Sequence, residues 1–559
     1  MVAASGGCRP KAGQDAQSGA ALPHGGELLV SVRTEPRTFN RLAARDTSTD
    51  LVSLLTQARL VRINRVSQEA EAWLAEGWTR SDDGLRYTIK LSPNVSFSDG
   101  HPFTADDVVF SFEAVYDQRA GSALADSLKM GGRKLTVTEV DPLTVVVAFP
   151  APFAPGLRIL DNLPIIPRHK LEAALKAGTF ASAWGLSTPP ADIVGLGPFV
   201  VSQYLPGQRL VLVRNPHYWR KDASGTPLPY LDRLTIDIVP DESAEVLRLE
   251  SGQIDMTFST VAPESYAIVK RAADAGRVQL MDLGVAYDAD SFWFNLKPGA
   301  FAADARAPWL QRDELRRAIS MAVDRQLFAD TVFLGAGVPV YGPVTPGNKK
   351  WYAAEVPHAP HDPARARELL GSIGLSDRNG DGVLENARNQ PARFTLLTQK
   401  GRPSLERGAA VIRDELKRVG LVVDVVSLDA GALIQRILSA NYDSVYFDPG
   451  ASDTDPAINP DFWFSFGDAH LWNMRQKTPA TEWEKRIDDL MTRQIASPDE
   501  AERKRLFNEV QTIFAEHLPV INFVAPRIYV AASARVMNLT PALSRPQLLW
   551  AADTIAVKR

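Results

Sequence analysis

The chain has 559 residues, more than one compact core ordinarily serves, so two or three lobes are expected. Apolar residues make up 45% and charged residues 23%, with 66 acidic side chains against 62 basic ones and a net charge of −4. That balance belongs to an ordinary water-soluble protein and excludes the basic excess of a nucleic-acid or anionic-membrane binder. No run approaches the ~18–20 continuous apolar residues of a membrane span.

In chain order the first marked residue is Cys8, the single cysteine, which rules out an intrachain disulfide. Its setting, Ser5-Gly6-Gly7-Cys8, is similar to the small-residue run before the lipidated cysteine of bacterial lipoprotein signals. Ser5 stands where leucine is usual, and the basic region and apolar core of a signal peptide are missing ahead of it. Residues 1–26, rich in Ala, Gly, Gln and Ser, therefore read as a truncated signal and flexible tether, with Cys8 the candidate lipidation site.

Glu27–Arg33 alternates and predicts a strand, and Asp50 is expected to cap a helix carrying Leu51, Leu54 and Leu55. A turn at Arg80–Gly84 leads to a strand, Leu85–Leu91, with Tyr87, Ile89 and Leu91 on one face. Thr104 followed by Asp106 and Asp107 reads as an N-cap with first-turn acids, opening a helix through Tyr116. Val137–Val140 and Thr144–Phe149 flank Asp141-Pro142 as a hairpin. Further on, Asp362-Pro363 starts a helix that Gly371 is expected to end. Pro403–Val419 is another helix, followed by a buried-type strand, Leu421–Val426. Two amphipathic helices, Thr481–Ile495 and Pro498–Glu516, precede strands at Val520–Val524 and Ile528–Ala532. Helix–strand alternation mixed with hairpins predicts an α/β protein in more than one lobe.

The most informative spacing runs from Gly195-Leu196-Gly197-Pro198-Phe199 through Arg214-Asn215-Pro216-His217-Tyr218-Trp219 and Pro229-Tyr230-Leu231-Asp232 to Ser251-Gly252-Gln253-Ile254-Asp255. Other ordered matches are Glu35-Pro36-Arg37-Thr38-Phe39-Asn40, Phe97-Ser98-Asp99-Gly100 and Leu315-Arg316-Arg317-Ala318 through Asp324-Arg325. Together they resemble the peptide- and nickel-type bacterial extracellular solute-binding proteins, family 5, over a reach from about Gly26 to the C-terminus.

The resemblance implies a type II periplasmic-binding-protein fold of the peptide-binding class, in three lobes. Lobe I would comprise residues 27–60, 190–280 and 525–559, lobe II residues 61–189, and lobe III residues 281–524. The ligand cleft would lie between lobes I and III, closing by a hinge. In peptide-binding relatives an aspartate before an Asp-Pro pair takes the ligand's ammonium. The matching stretch here is Tyr446-Phe447-Asp448-Pro449-Gly450-Ala451-Ser452-Asp453-Thr454-Asp455-Pro456. Without a gap the ammonium position falls on Ser452, and with a one-residue gap on Asp453. Tyr446 and Asp455 join them as candidate contacts. The usual Gly-Trp pair is replaced by Asp448-Pro449. Lys400 and Arg402 occupy the neighbourhood of a basic residue that grips the ligand carboxylate.

Trp463 and Trp472, with Trp293 in Ser291-Phe292-Trp293-Phe294-Asn295-Leu296, are aromatic candidates to line the cleft. Asp377-Arg378-Asn379-Gly380-Asp381-Gly382 mimics a calcium loop, but Arg388 falls where the bidentate carboxylate belongs, so it reads as a polar turn. His358 and His361 have Pro360 between them, and Asp362 is better read as a helix cap than as a metal ligand. There is no Gly-x-Ser-x-Gly elbow, no Walker loop and no Gly-x-Gly-x-x-Gly after a strand. Neither catalysis, nor a cofactor, nor a metal is expected.

The resemblance thus implies a periplasmic or cell-surface monomer, lipid-anchored at Cys8. It would capture oligopeptides or dipeptides and deliver them to an ABC permease with cytoplasmic ATPases, touching no nucleic acid. One alternative keeps the fold and binds an oligosaccharide, an opine-like solute or a nickel chelate. Another, from a different class, is a signalling receptor or hydrolase on this scaffold.

Overall fold

The computed structural model describes residues 22–450 and 454–558, so Cys8, Ser452 and Asp453 lie outside the described residues. Its three largest sheets have eight, five and four strands. The eight-stranded sheet forms around Glu27–Val32, which pairs in parallel with Arg233–Ile238 on one side and Met256–Thr257 on the other. The hairpin Phe199–Leu205 and Arg209–Arg214 extends one flank. Val524–Ser533 and Val278–Val285, antiparallel to each other, extend the other flank. Gly337–Pro339 also joins this sheet, on the far part of Val524–Ser533. Strands drawn from the start, middle and end of the chain thus share one sheet.

The motif residues that carry the resemblance hold this sheet together. Asp255 accepts from the Leu29 backbone N–H at 2.8 Å and from Arg535 at 2.5 and 2.6 Å, tying the first strand to the C-terminal region. Asn215 donates to the Gly197 carbonyl at 2.8 Å. A Cβ added at Gly195 would lie 2.0 Å from the Thr56 carbonyl oxygen, so the backbones approach closely enough there to require glycine.

The four-stranded sheet is an antiparallel meander of Ala75–Arg80, Arg86–Leu91, Thr144–Ala148 and Thr136–Asp141. Tyr87, Ile89 and Leu91 are buried along one face, as the alternation predicts. The helix Ala105–Tyr116 has the expected start, with Asp107 accepting from the Thr104 N–H at 3.0 Å. In the five-stranded sheet, Arg393–Gln399 runs parallel to both Val422–Leu428 and Ser444–Phe447, and Ser291–Phe294 runs antiparallel to Ser444–Phe447 and Val520–Asn522. The helices Glu482–Ala496 and Glu500–His517 bury Ile487, Leu490, Phe507 and Phe514 in one core with Trp293.

Some elements differ from expectation. The first helix, Thr47–Thr56, is capped by Asp46, whose side chain accepts from the Thr49 N–H; Asp50 sits in the first turn, where an acid meets the helix dipole. The helix Pro363–Ser372 runs through Gly371, because that glycine keeps helical backbone and the stop comes at Ile373. Val422–Leu428 is only half-buried: it closes the sheet as an edge strand, so just one neighbour covers it. Val278–Val285 belongs wholly to the eight-stranded sheet, so the crossing to the five-stranded sheet falls at residues 286–290, beyond the expected boundary at 280/281.

Candidate functional site

Two of the chain's crossings between the eight- and five-stranded sheets lie at adjacent points. The chain leaves Val285 and enters the smaller sheet at Ser291, and it returns from Asn522 through Phe523 to Val524. The crossings are tied together: Ser291 pairs in register with Asn522, and its hydroxyl donates to Asn522 Oδ1 at 3.0 Å. Beside them opens a cavity of about 330 Å³. Tyr287, Asp288 and Ala289 of the first crossing form one wall. Pro449, Gly450, Thr454 and Pro456 form another, and Phe462, Trp463, Phe507 and Phe514 close the apolar side.

The cavity wall at Thr454–Pro456 is pinned. Asp455 accepts two hydrogen bonds from Arg503, at 3.0 and 2.5 Å, and caps the short turn at Pro456 through the Ala457 N–H. Asn348 donates to the Thr454 carbonyl at 2.8 Å. The Thr454 hydroxyl donates to Gln68 Oε1 at 2.8 Å and accepts from Arg158 at 3.2 Å, so the turn of the hairpin Val61–Ile63 and Ala70–Ala72 also reaches the cavity. Lys350 adds a second link to that region, meeting Glu69 at 3.0 Å and Glu500 at 2.8 Å.

Three carboxyl groups gather at the crossing. Register places Asp290 opposite Asp448, one step beyond the Ser291–Phe447 pair. Asp448 is paired with Arg402 at 3.1 Å, and Asp290 accepts from the Tyr446 hydroxyl at 3.1 Å. Burial, then the charge of Asp448, pushes Asp290 up to about 7. Burial and Asp448 likewise push Asp288 up to about 6, against a smaller opposing pull from Arg545.

The sequence candidates separate into cavity and core. Trp463 lines the cavity, with its ring edge-on to Phe507 at 5.0 Å. Trp293, Trp472 and Tyr446 take core positions instead, each 1% exposed or less. The alternating strand Ser291–Phe294 does not leave one face open, because it is internal to its sheet: Phe292 and Phe294 enter one core and Trp293 another. Tyr446 is further enclosed by Gly408, where a Cβ would come within 2.5 Å of its ring. Asp455 is a structural ion pair and does not face the cavity as a free acid. Arg402 heads the helix Pro403–Arg418 and is engaged by Asp448, and Lys400 is exposed at the end of a strand; neither lines the cavity.

Asp288, Asp290 and Asn348 were not picked out by sequence reasoning. The available signal was Asp288-x-Asp290 immediately before the apolar strand Phe292-Trp293-Phe294, a place where carboxylates are costly to bury. The polar-turn reading of residues 377–382 fits the contacts seen, since Asp377 accepts from the Gly380 and Gly382 N–H groups.

A large discontinuous sheet, a second sheet joined to it by paired crossings, and a ligand-sized cavity beside those crossings define a multi-lobed bacterial solute-binding protein. The model of the bacterial extracellular solute-binding proteins, family 5, matches residues 69–470, and the chain belongs to that family. A probable ABC transporter-binding protein of Deinococcus radiodurans is 27% identical over 534 residues, which cover 92% of this chain and 88% of that protein. The oligopeptide-binding protein AppA of Bacillus subtilis is 28% identical over 435 residues, 75% of this chain and 72% of AppA. The solved structure of that AppA, in complex with a nonapeptide, superposes with a TM-score of 0.73 at 23% identity, covering 96% of this chain and 100% of AppA. NikA of Brucella suis, in complex with Fe(III)-EDTA, gives 0.77 at 21% identity, covering 95% and 100%. At these identities the structural likeness speaks for the fold alone. Among the described residues no helix is long and apolar enough to cross a membrane.

Proposed function

We propose that this protein is the extracytoplasmic binding component of an ABC importer and that it captures short peptides without transforming them. The observation that carries the reading is the cavity at the crossing of the two sheets, walled by both crossings and the loop around Thr454. Its volume of about 330 Å³ lies at the lower end of small-molecule sites, which suits a short ligand. Relatives named as ABC-transporter-binding and oligopeptide-binding proteins support the assignment.

In this reading residues 27–60, 190–285 and 524–559 form lobe I, 61–189 lobe II and 291–522 lobe III, with 286–290 and Phe523 as the hinge. Closure removes water from the ligand and presents a distinct surface to permease subunits backed by ATPases. The protein acts as a monomer, periplasmic or at the cell surface, anchored by lipid on Cys8. The ligand's ammonium is assigned to Ser452 or Asp453, which lie outside the described residues. Native mass spectrometry of gently purified protein tests the ligand class. A bound series spaced by amino-acid residue masses is expected, and hexose spacing would overturn the peptide reading.

A second reading keeps the fold and binds an oligosaccharide, an opine-like solute or a metal chelate. The aromatic side formed by Phe462, Trp463 and Phe514 favours it, since ring faces suit sugars.

A further inference from the structure

We propose that Asp288 makes this cavity selective for ligands that present a positively charged group, an ammonium or a guanidinium, within it. The inference rests on the cavity being the ligand site. Among the described lining residues Asp288 is the sole carboxylate, and no lysine, arginine or histidine joins it; the rest are neutral polar or apolar.

The neighbouring charges are already committed. Asp448 is held by Arg402, the arginine expected to grip a ligand carboxylate, and Asp290 takes the Tyr446 hydroxyl. Asp288 accepts from its own backbone N–H and forms no ion pair among the described residues. Arg545, from the C-terminal loop, is near enough for its charge to be felt but forms no ion pair with it. Asp290 and Asp448 add like charge from the crossing and from the facing strand end. A carboxylate turned away from water with no cation in contact costs free energy whenever it is ionised. A cation on the ligand supplies a contacting partner, whereas an anionic group meets the like charge of Asp288, with Asp290 and Asp448 behind it. The raised proton affinity of Asp288 is the same imbalance seen from the proton's side.

The test is isothermal titration of the full chain at pH 7.5 with charge-matched probe pairs. Trialanine is set against N-acetyl-trialanine amide, Ala-Lys-Ala against Ala-Glu-Ala, and agmatine against N-acetylputrescine. The cationic member of at least one pair is expected to bind tenfold or more tightly than its counterpart. Asp288→Asn is expected to bring each such pair within about twofold. Because the variant could fold poorly, the wild type is also titrated at pH 5, where the preference is expected to shrink as the carboxyl takes a proton. The proposal is overturned if uncharged or acidic members bind as tightly, if the preference survives both Asp288→Asn and pH 5, or if no cationic probe binds. Peptides binding regardless of charge would overturn this inference and leave the peptide reading standing. Binding of agmatine alone would do the reverse.

Discussion

Arg503 clasps Asp455 with two hydrogen bonds, at 2.5 and 3.0 Å, and both side chains are about 8% exposed. The same guanidinium donates to the Gln494 carbonyl at 3.1 Å and lies over the Trp351 ring at 4.8 Å. One arginine of the helix Glu500–His517 thus fixes the loop that walls the cavity. Removing either partner leaves a buried charge uncompensated, which costs about 3–5 kcal/mol. Arg503→Ala is expected to lose that much in urea denaturation and to weaken ligand binding as well. Arg505→Ala, on the exposed face of the same helix, is expected to change stability little, because its pairs with Glu502 and Glu509 are solvent-screened. Equal losses in the two variants would refute the assignment.

Asp290 makes stability depend on pH around neutrality. Its folded-state proton affinity is raised to about 7 from an ordinary value of 3.8, first by burial and then by Asp448. The sign follows: a carboxyl whose value is raised on folding contributes stability that is present below 3.8 and is lost as pH climbs through about 7. The loss is on the order of 4 kcal/mol. Asp290→Asn is expected to flatten the thermal-unfolding midpoint between pH 5 and 8, where the wild type declines. A wild-type midpoint that rises over that range would contradict the burial argument.

Residue patterns reached the fold further than they reached the site. Strands such as Arg86–Leu91 and helices such as Ala105–Tyr116 were legible because one periodicity and one cap each specify them. The motif Gly195-Leu196-Gly197 through Asp255 was legible as a whole, yet its residues brace the large sheet and none of the stretch lines the cavity. The site was harder to read because it is assembled where distant segments meet. Nothing local to Trp293 announces that its strand lies inside a sheet covered on both faces, and nothing local to Asp288 announces a cavity. Arg402 looked available for a ligand because Asp448, 46 positions away, is its partner only in the fold.

Glu484 governs the acid limb. Its carboxylate accepts from His470 at 3.3 Å, Trp472 at 3.1 Å, Gln476 at 2.9 Å and the Ala480 and Thr481 N–H groups at 2.9 Å. Burial alone would raise it, but these donors, with His470 foremost, hold it down at about 2. A lowered value contributes stability present above the ordinary 4.5 and lost as pH falls toward 2. Glu484→Gln keeps the shape, turns an acceptor into a donor facing other donors, and is expected to cost on the order of 3 kcal/mol at pH 7. Acid titration followed by circular dichroism should show the wild-type acid limb much reduced in the variant. An unchanged limb would place the acid sensitivity elsewhere.

The links from Gln68 and Lys350 predict how fast a ligand leaves. Gln68 accepts from Thr454 at 2.8 Å and from Arg158 at 3.2 Å, and Lys350 spans Glu69 and Glu500. In the hinge reading these contacts join lobe II to the loop over the cavity only in the closed form. The Gln68 bonds are partly buried, at about 0.5–1.5 kcal/mol each. The Lys350 pairs are more exposed and contribute less. Gln68→Ala is therefore expected to raise the ligand dissociation rate roughly five- to tenfold and to leave association nearly unchanged, since encounter precedes closure. Lys350→Ala is expected to raise it about twofold or less, with a stronger dependence on salt in the wild type than in the variant. Stopped-flow measurement of both rates decides the matter. A fall confined to association would mean that Gln68 shapes the open entrance and does not hold the closed form.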